Sequence, residues 1–141
     1  MINSYIALDL ETTGLNPKQD KIIEIGAVRV ENGQETGRFH TMLNPHRELE
    51  KRITELTGIA WDMLKDAPDI VDILEEFLAF CGELPLLGHR IIFDYSFVKR
   101  AAVNQGLSFE KNGIDPLTIC RRFMPAEESK RLGAACAFYG L

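Results

Sequence analysis

The dipeptide Asn32-Gly33 lies between two strand-like runs and is the strongest constraint on how this chain folds. Asn-Gly favours tight turns whose twist matches that of paired strands, so residues 21–30 and 36–43 are expected to form an antiparallel hairpin. A third strand-like run, residues 4–10, comes before them and is joined to them by a loop rich in turn residues. The chain is therefore predicted to begin as a three-stranded antiparallel meander.

The rest of the chain alternates between helix and strand patterns. Residues 52–64 are typical of short helical turns, and Pro68 is well placed to open a longer helix. The apolar face of that helix comprises Ile70, Val71, Ile73, Leu74, Phe77, Leu78 and Cys81, at helical spacing. Further segments are a buried strand within 84–89, a helix over 94–106, a strand-to-helix step over 113–117 and a last amphipathic helix over 129–140. This order indicates an α/β domain built on a mixed sheet.

Length and composition are those of a single soluble domain. The chain has 141 residues, of which 45% are apolar, and no apolar run is long enough to span a membrane. Its first residues lack the basic region and the cleavage site of a secretory leader. The three cysteines, Cys81, Cys120 and Cys136, lie far apart in apolar surroundings and are expected to be reduced core thiols. We expect a cytoplasmic protein.

The formal net charge of −5 argues against a protein that coats long DNA. It leaves open an enzyme that binds a short nucleic-acid end through metal ions. Four basic pairs could follow a strand, but solvated helix faces explain them more simply. These pairs are Lys51-Arg52, Lys99-Arg100, Arg121-Arg122 and Lys130-Arg131.

Two acids, Asp9 and Glu11, interrupt the otherwise apolar first strand. Residues two apart in a strand point to the same face, so the two carboxylates are expected to project together. Two carboxylates at such a short distance repel each other, and each raises the pKa of the other. A divalent cation would relieve that repulsion. Carboxylate oxygens suit Mg²⁺ or Mn²⁺. The alternative is a pair of exposed acids on an edge strand.

A second group of chemically interesting residues follows the predicted fourth strand. His89 lies at its end and Asp94 at the expected start of the next helix. Ligands of α/β sheets collect where strands end and helices begin, so Asp94 could converge on the first two acids. Asp94 could equally be a plain helix cap, and His89 a structural histidine. Phe93 and Phe97 could be core residues or an apolar wall for a base.

Five segments in this order carry a family resemblance: residues 7–15, 21–30, 53–64, 86–98 and 114–125. The Asp-x-Glu-Thr-Thr-Gly block and the His-x(4)-Asp block stand out among them. The chain resembles the DnaQ-like 3′–5′ exonucleases of the DEDDh class, the family of the epsilon subunit of DNA polymerase III and of the PolC exonuclease domain. The resemblance implies an RNase H-like fold with a mixed five-stranded sheet, the first three strands antiparallel, flanked by helices.

The resemblance also implies roles for individual residues. Asp9, Glu11 and Asp94 match three acidic catalytic residues of the family, which hold two Mg²⁺ or Mn²⁺ ions together with the scissile phosphate. We therefore expect their carboxylates to meet around one cleft, within reach of a common ion. Six residues match positions at or near the substrate: Thr12, Thr13, Leu15, Thr57, His89 and Phe97. Asp115 matches a recurrent acid that is not catalytic.

Two departures from the family pattern accompany these matches. Arg90 replaces the Asn that usually follows the histidine of the second motif. The final His-x(4)-Asp motif, which supplies a general base and a fourth acid, does not occur in residues 1–141. We therefore expect a single exonuclease domain, truncated before its last catalytic motif and weakly active or inactive in this form.

The implied function is metal-dependent removal of nucleotides from single-stranded 3′ ends, with DNA favoured, in proofreading or repair. The alternative is a catalytically defective DnaQ-like module that binds nucleic acid or a polymerase partner. The intact acids Asp9, Glu11 and Asp94 favour the enzyme. A preference for DNA over RNA depends on details of the pocket that the sequence leaves open.

Overall fold

The computed structural model describes residues 3–111 and 113–114. Its strands are β1 (Tyr5–Thr12), β2 (Ile22–Glu31), β3 (Gln34–Met42), β4 (Leu86–Leu87) and β5 (Gly113–Ile114). Its helices are α1 (Lys51–Thr57), α2 (Trp61–Leu64), α3 (Ile70–Cys81) and α4 (Ile91–Asn104). The expected elements beyond residue 114, together with Asp115, Cys120 and Cys136, lie outside the described residues.

Within the described residues, one mixed sheet has five strands in the order β3-β2-β1-β4-β5. The first three strands pair antiparallel, while β4 is parallel to both β1 and β5. The β2–β3 turn has positive φ at both Asn32 (54°) and Gly33 (78°), the conformation that Asn-Gly favours. The predicted α/β class, meander and five-stranded mixed sheet are therefore confirmed.

Two hydrophobic clusters pack on opposite faces of the sheet. The larger one joins β1 residues such as Leu8 and Leu10 to α3 and α4. The smaller one joins Ile23 of β2 to α1 and α2. Ile22 belongs to the larger cluster and Ile23 to the smaller, as expected for neighbours in a strand that point to opposite faces. The helices therefore form one layer on each side of the sheet.

Two details differ from the sequence prediction. Val71 does not join the buried face of α3, because its side chain is 58% exposed, whereas Leu74, Phe77 and Cys81 are buried. Helix α4 begins at Ile91, three residues before the expected start, because Arg90 takes a left-handed conformation (φ 54°, ψ 44°) and ends the preceding turn. Among the described residues, no helix is both long and apolar enough to cross a membrane.

Candidate functional site

Asp9 and Glu11 lie on the same face of β1, opposite to the buried Leu8 and Leu10. Asp9 is exposed and Glu11 is half-buried. Burial raises the pKa of the Glu11 carboxyl, and the neighbouring charges of Asp9 and Glu24 raise it further. The two acids therefore project together as expected, into the side of the sheet that also carries α1 and α2.

Glu24 is a third acid in this region, and it was missing from the predicted set. It pairs directly with Glu11 across β1 and β2. Like charges in directly opposite cross-strand positions destabilise a sheet. His40 on β3 offsets part of this cost, because its Nε2 lies 2.7 Å from Glu24 Oε2. The sequence offered one sign of this third acid, because Glu24 interrupts the apolar start of its strand. Its pairing with Glu11, however, depends on the strand register.

Asp94 reaches the same region from the other layer. It lies in the first turn of α4 and is only 5% exposed. Burial raises the pKa of its carboxyl to about 7, with further contributions from the charges of Asp9 and Glu11. A hydrogen bond from the Leu10 backbone N–H and the charge of Arg90 act in the opposite direction. Asp9 and Glu11 are therefore close enough for their charges to raise the pKa of Asp94.

The strand pairing explains why Asp94 can bind the backbone of β1. Strand β4 pairs only with Ile6 and Ala7, so the edge of β1 is open beyond them. The Leu10 N–H lies on this open stretch, and the Asp94 carboxyl accepts its hydrogen bond. A buried N–H needs a partner, and a carboxylate that accepts one gains stabilisation of its charged form.

The three carboxylates do not meet at a single point. Across residues 3–111 and 113–114, no three Asp, Glu, His or Cys side chains converge closely enough to hold a metal ion. Ligation of a common ion by Asp9, Glu11 and Asp94 therefore stays a prediction. The donor set, three carboxyl groups near one another, is nevertheless chemically suited to a hard divalent cation.

The turn between β4 and α4 depends on a close backbone approach at Gly88. A Cβ at this position would lie 2.6 Å from the backbone oxygen of Leu8. Only glycine therefore allows β4 to end so close to β1. His89 and Arg90 follow and are exposed. The Arg90 guanidinium carbon lies 5.4 Å from the centre of the Phe93 ring, next to Asp94 in the sequence.

The end of β1 and the loop after it contain three of the predicted substrate residues, Thr12, Thr13 and Leu15. Leu15 is 76% exposed. The Thr12 hydroxyl donates to the backbone oxygen of Gly14 at 2.7 Å. Thr13 is buried, and its hydroxyl contacts Asp20, Lys21 and Arg47. Substrate contact by these three residues stays a prediction, and among their side chains only that of Leu15 is largely open to solvent.

Three further predicted substrate residues are dispersed. Thr57 ends α1, where its hydroxyl donates to the Ile53 backbone oxygen at 2.8 Å and accepts from the Ile59 N–H. Phe97 is 3% exposed and belongs to the core, with its ring centre 5.0 Å from that of Phe93. A role for Thr57, His89 or Phe97 in binding stays a prediction, and the structure gives Thr57 and Phe97 a role in packing.

Comparison with known proteins connects this arrangement to a family. The exonuclease family model named RNase_T matches residues 6–141. The chain is 40% identical over 135 residues to the PolC-type DNA polymerase III of Halalkalibacterium halodurans, and 40% identical over 136 residues to that of Bacillus subtilis. These matches cover 95% and 94% of this chain. The chain spans about a tenth of the length of these relatives, since the matches cover 9% of each.

Solved structures share the fold. An apo exonuclease I superposes with a TM-score of 0.72 at 16% identity, over 86% of this chain and 30% of that one. Exonuclease X, solved with a 5′-overhanging duplex DNA, superposes with a TM-score of 0.70 at 23% identity, over 97% of this chain and 74% of that one. The fold is thus the RNase H-like fold of these exonucleases. The chain belongs to the DnaQ-like exonuclease family.

Proposed function

We propose that this protein is a metal-dependent 3′–5′ exonuclease that removes nucleotides from single-stranded DNA ends. The observation that carries the proposal is the position of Asp9, Glu11 and Asp94 in one region of a chain that matches the exonuclease family over residues 6–141. The charge of Asp9 raises the cost of ionising Glu11, and the charges of both raise the cost of ionising Asp94, so the region favours a divalent cation.

Mg²⁺ or Mn²⁺ would be held by Asp9, Glu11 and Asp94, and would supply Lewis-acid stabilisation of charge at a phosphodiester. The protein groups have separable tasks in this proposal. Asp9 and Glu11 present charge from one face of β1. Asp94 carries a carboxyl that is half protonated near pH 7 and must lose its proton before it can act as a ligand. The Leu10 N–H orients that carboxyl toward β1.

DNA is the favoured substrate in this proposal because the relatives are DNA polymerases and DNA-bound exonucleases by name. The PolC-type proteins are DNA polymerases by name, and an E. coli exonuclease I has been solved with a dT13 oligonucleotide. We propose a proofreading or repair role alongside a DNA polymerase on this basis. RNA ends are the competing substrate, and they belong in the same assay.

We place the protein in the cytoplasm. Cys81 is a free, buried thiol, and burial raises its pKa to about 12. Such a thiol is a poor nucleophile and behaves as a small apolar core residue. A reduced cysteine of this kind is compatible with a reducing compartment.

The experiment that tests the function uses a single strand labelled at its 5′ end, incubated with the chain and Mn²⁺. A 3′–5′ exonuclease produces a ladder of products that retain the label, and Asp9→Asn or Asp94→Asn should remove the ladder. A strand whose terminal 3′ linkage is a phosphorothioate should resist, while one blocked at the 5′ end should not. A matched RNA strand measures the preference for DNA.

Residues 1–141 do not contain the family's final His-x(4)-Asp motif, so we propose slow cleavage by this chain. General acid–base assistance is typically worth about 10²–10⁴-fold in rate. Binding of the strand without any cleavage, at any Mn²⁺ concentration, would favour the alternative of a DnaQ-like binding module. Full-rate cleavage would contradict the role assigned to the final motif.

A further inference from the structure

The loop that joins β1 to β2 is closed on itself by hydrogen bonds. At its base, the Thr13 N–H donates to the Lys21 backbone oxygen at 2.9 Å, and the Lys21 N–H donates to the Thr13 hydroxyl at 2.9 Å. Nearer its tip, the Asp20 N–H donates to the Asn16 backbone oxygen at 2.7 Å, and the Asn16 N–H donates to Asp20 Oδ2 at 3.0 Å. The loop therefore has a defined shape.

Arg47, which lies after β3 and outside this loop, binds the loop through side-chain hydrogen bonds. Its Nη2 donates to the Thr13 hydroxyl at 2.5 Å and to Asp20 Oδ1 at 3.0 Å. The Thr13 hydroxyl in turn donates to Asp20 Oδ1 at 3.2 Å. A hydroxyl offers one donor and two acceptor sites, and these contacts with Asp20, Lys21 and Arg47 use all three. We call Thr13, Asp20 and Arg47 the loop clamp.

Gly14 shows how tightly the clamp is packed. A Cβ on Gly14 would lie 2.4 Å from Asp20 Oδ2 and 2.6 Å from the carboxyl carbon. The Asp20 carboxylate cannot easily move away, because Asn16, Thr13 and Arg47 all donate hydrogen bonds to it. The next residue in the chain is Leu15, whose side chain is 76% exposed. The clamp therefore constrains the backbone beside an exposed apolar side chain, four residues after Glu11.

We propose that Arg47 is a positioning residue for the substrate, which it serves by holding Leu15 in place through the loop clamp. The inference rests on the proposed function, because it needs a nucleic-acid end to bind beside Asp9 and Glu11. In this account Leu15 packs against the base of a terminal nucleotide. In this account Arg47 acts through the loop and not by contact with the nucleic acid, because its Nη2 donates to both Thr13 and Asp20.

A double-mutant cycle on substrate binding tests this inference. The probe is a fluorescein-labelled dT oligonucleotide with a phosphorothioate at its terminal 3′ linkage, and binding to the chain is followed by anisotropy in Mn²⁺. Arg47→Gln and Leu15→Ala should each weaken binding about tenfold, because displacing a contact residue costs affinity even when the chemistry is untouched. The double variant should bind no more weakly than Leu15→Ala alone, since Arg47 acts through Leu15.

Matched variants separate positioning from folding and from general charge. Arg47→Lys should recover part of the affinity, and Thr13→Val should weaken binding as Arg47→Gln does, because it removes the hydroxyl that Arg47 contacts. Arg38→Gln is the control: Arg38 also pairs with a carboxylate, Glu35, at 2.6 Å, but it lies on β3 and is exposed. It should bind as the unmodified chain does. An Mn²⁺-induced rise in Tm that is retained in Arg47→Gln would show that the variant folds with its acids in place.

The outcomes are distinct. If Arg47→Gln and Thr13→Val bind as tightly as the unmodified chain, the inference is overturned while the proposed function stands. If the losses from Arg47→Gln and Leu15→Ala add, Arg47 contacts the nucleic acid directly and the positioning role is wrong. If the unmodified chain neither binds nor cleaves the strand, the proposed function fails and the inference falls with it.

Discussion

The buried carboxyl of Asp94 accepts a hydrogen bond from the backbone N–H of Leu10, and this contact joins helix α4 to the open edge of β1. It brings an acid from one helical layer to a strand whose own acids, Asp9 and Glu11, point into the other layer. The consequence is a region of like charge that spans the sheet edge. Its behaviour with pH and with divalent cations follows from that charge.

The stability of the metal-free protein should fall as the pH rises from about 4 to about 7. The Asp94 carboxyl has an ordinary pKa of 3.8 and a pKa of about 7 in the folded chain. Between these values the folded state holds a proton that the unfolded state has lost, so raising the pH favours unfolding. Asp94→Asn should remove most of this dependence and be more stable than the unmodified chain at pH 8, by about 1–3 kcal/mol.

Urea unfolding at pH 5 and pH 8, in the presence of a chelator, measures this effect. Asp62→Asn is the matched control, because the Asp62 side chain is 88% exposed on α2 and its removal should leave the pH dependence unchanged. An unmodified chain that is equally stable at both pH values would mean that Asp94 ionises normally in the folded state.

Mn²⁺ should raise the Tm of the unmodified chain, and more so at pH 8 than at pH 5. The ion neutralises repulsion among Asp9, Glu11 and Asp94, and it must displace the proton of Asp94 at low pH. Asp94→Asn should lose most of the Tm rise, and Asp62→Asn should retain it. Thermal scans over a range of Mn²⁺ concentrations provide the measurement. A rise that is the same in both variants would place the bound ion elsewhere.

Gly88→Ala should destabilise the protein by about 2–4 kcal/mol, because the new Cβ would lie 2.6 Å from the Leu8 backbone oxygen and neither group can move freely. Gly26→Ala is the matched control within the same sheet, since its Cβ would lie at an ordinary 3.7 Å from the Asp9 backbone oxygen. Denaturant unfolding of both variants checks the prediction. An equal loss of unfolding free energy in the two variants would show that the close approach of β4 to β1 does not require glycine at position 88.

The meander could be predicted because its signals are local. The strand-like runs and the Asn32-Gly33 turn depend on neighbouring residues alone, and the structure confirms both. The same-face projection of Asp9 and Glu11 follows from strand periodicity in the same way. The features that could not be predicted from the sequence depend on contacts between residues that are distant in the chain.

Three features could not be predicted from local sequence patterns. The pairing of Glu11 with Glu24 requires the strand register. The bond from Arg47 to Thr13 joins residues 34 positions apart. Asp94 was expected at a helix start, but Arg90 adopts positive φ and starts α4 earlier, so Asp94 lies within the first turn and binds Leu10 instead. In each case a tertiary contact, and not a local preference, decides the role of the side chain.

The most direct measurement of the central claim is a crystal structure of the protein soaked with Mn²⁺ and recorded at the manganese absorption edge. The account predicts an anomalous peak between β1 and the first turn of α4, with carboxylate oxygens of Asp9, Glu11 and Asp94 within about 2.0–2.4 Å of manganese ions. A peak at that position in Asp62→Asn but not in Asp94→Asn would support the same assignment. Manganese bound only at other carboxylates, with Asp9 and Asp94 turned away from each other, would contradict it.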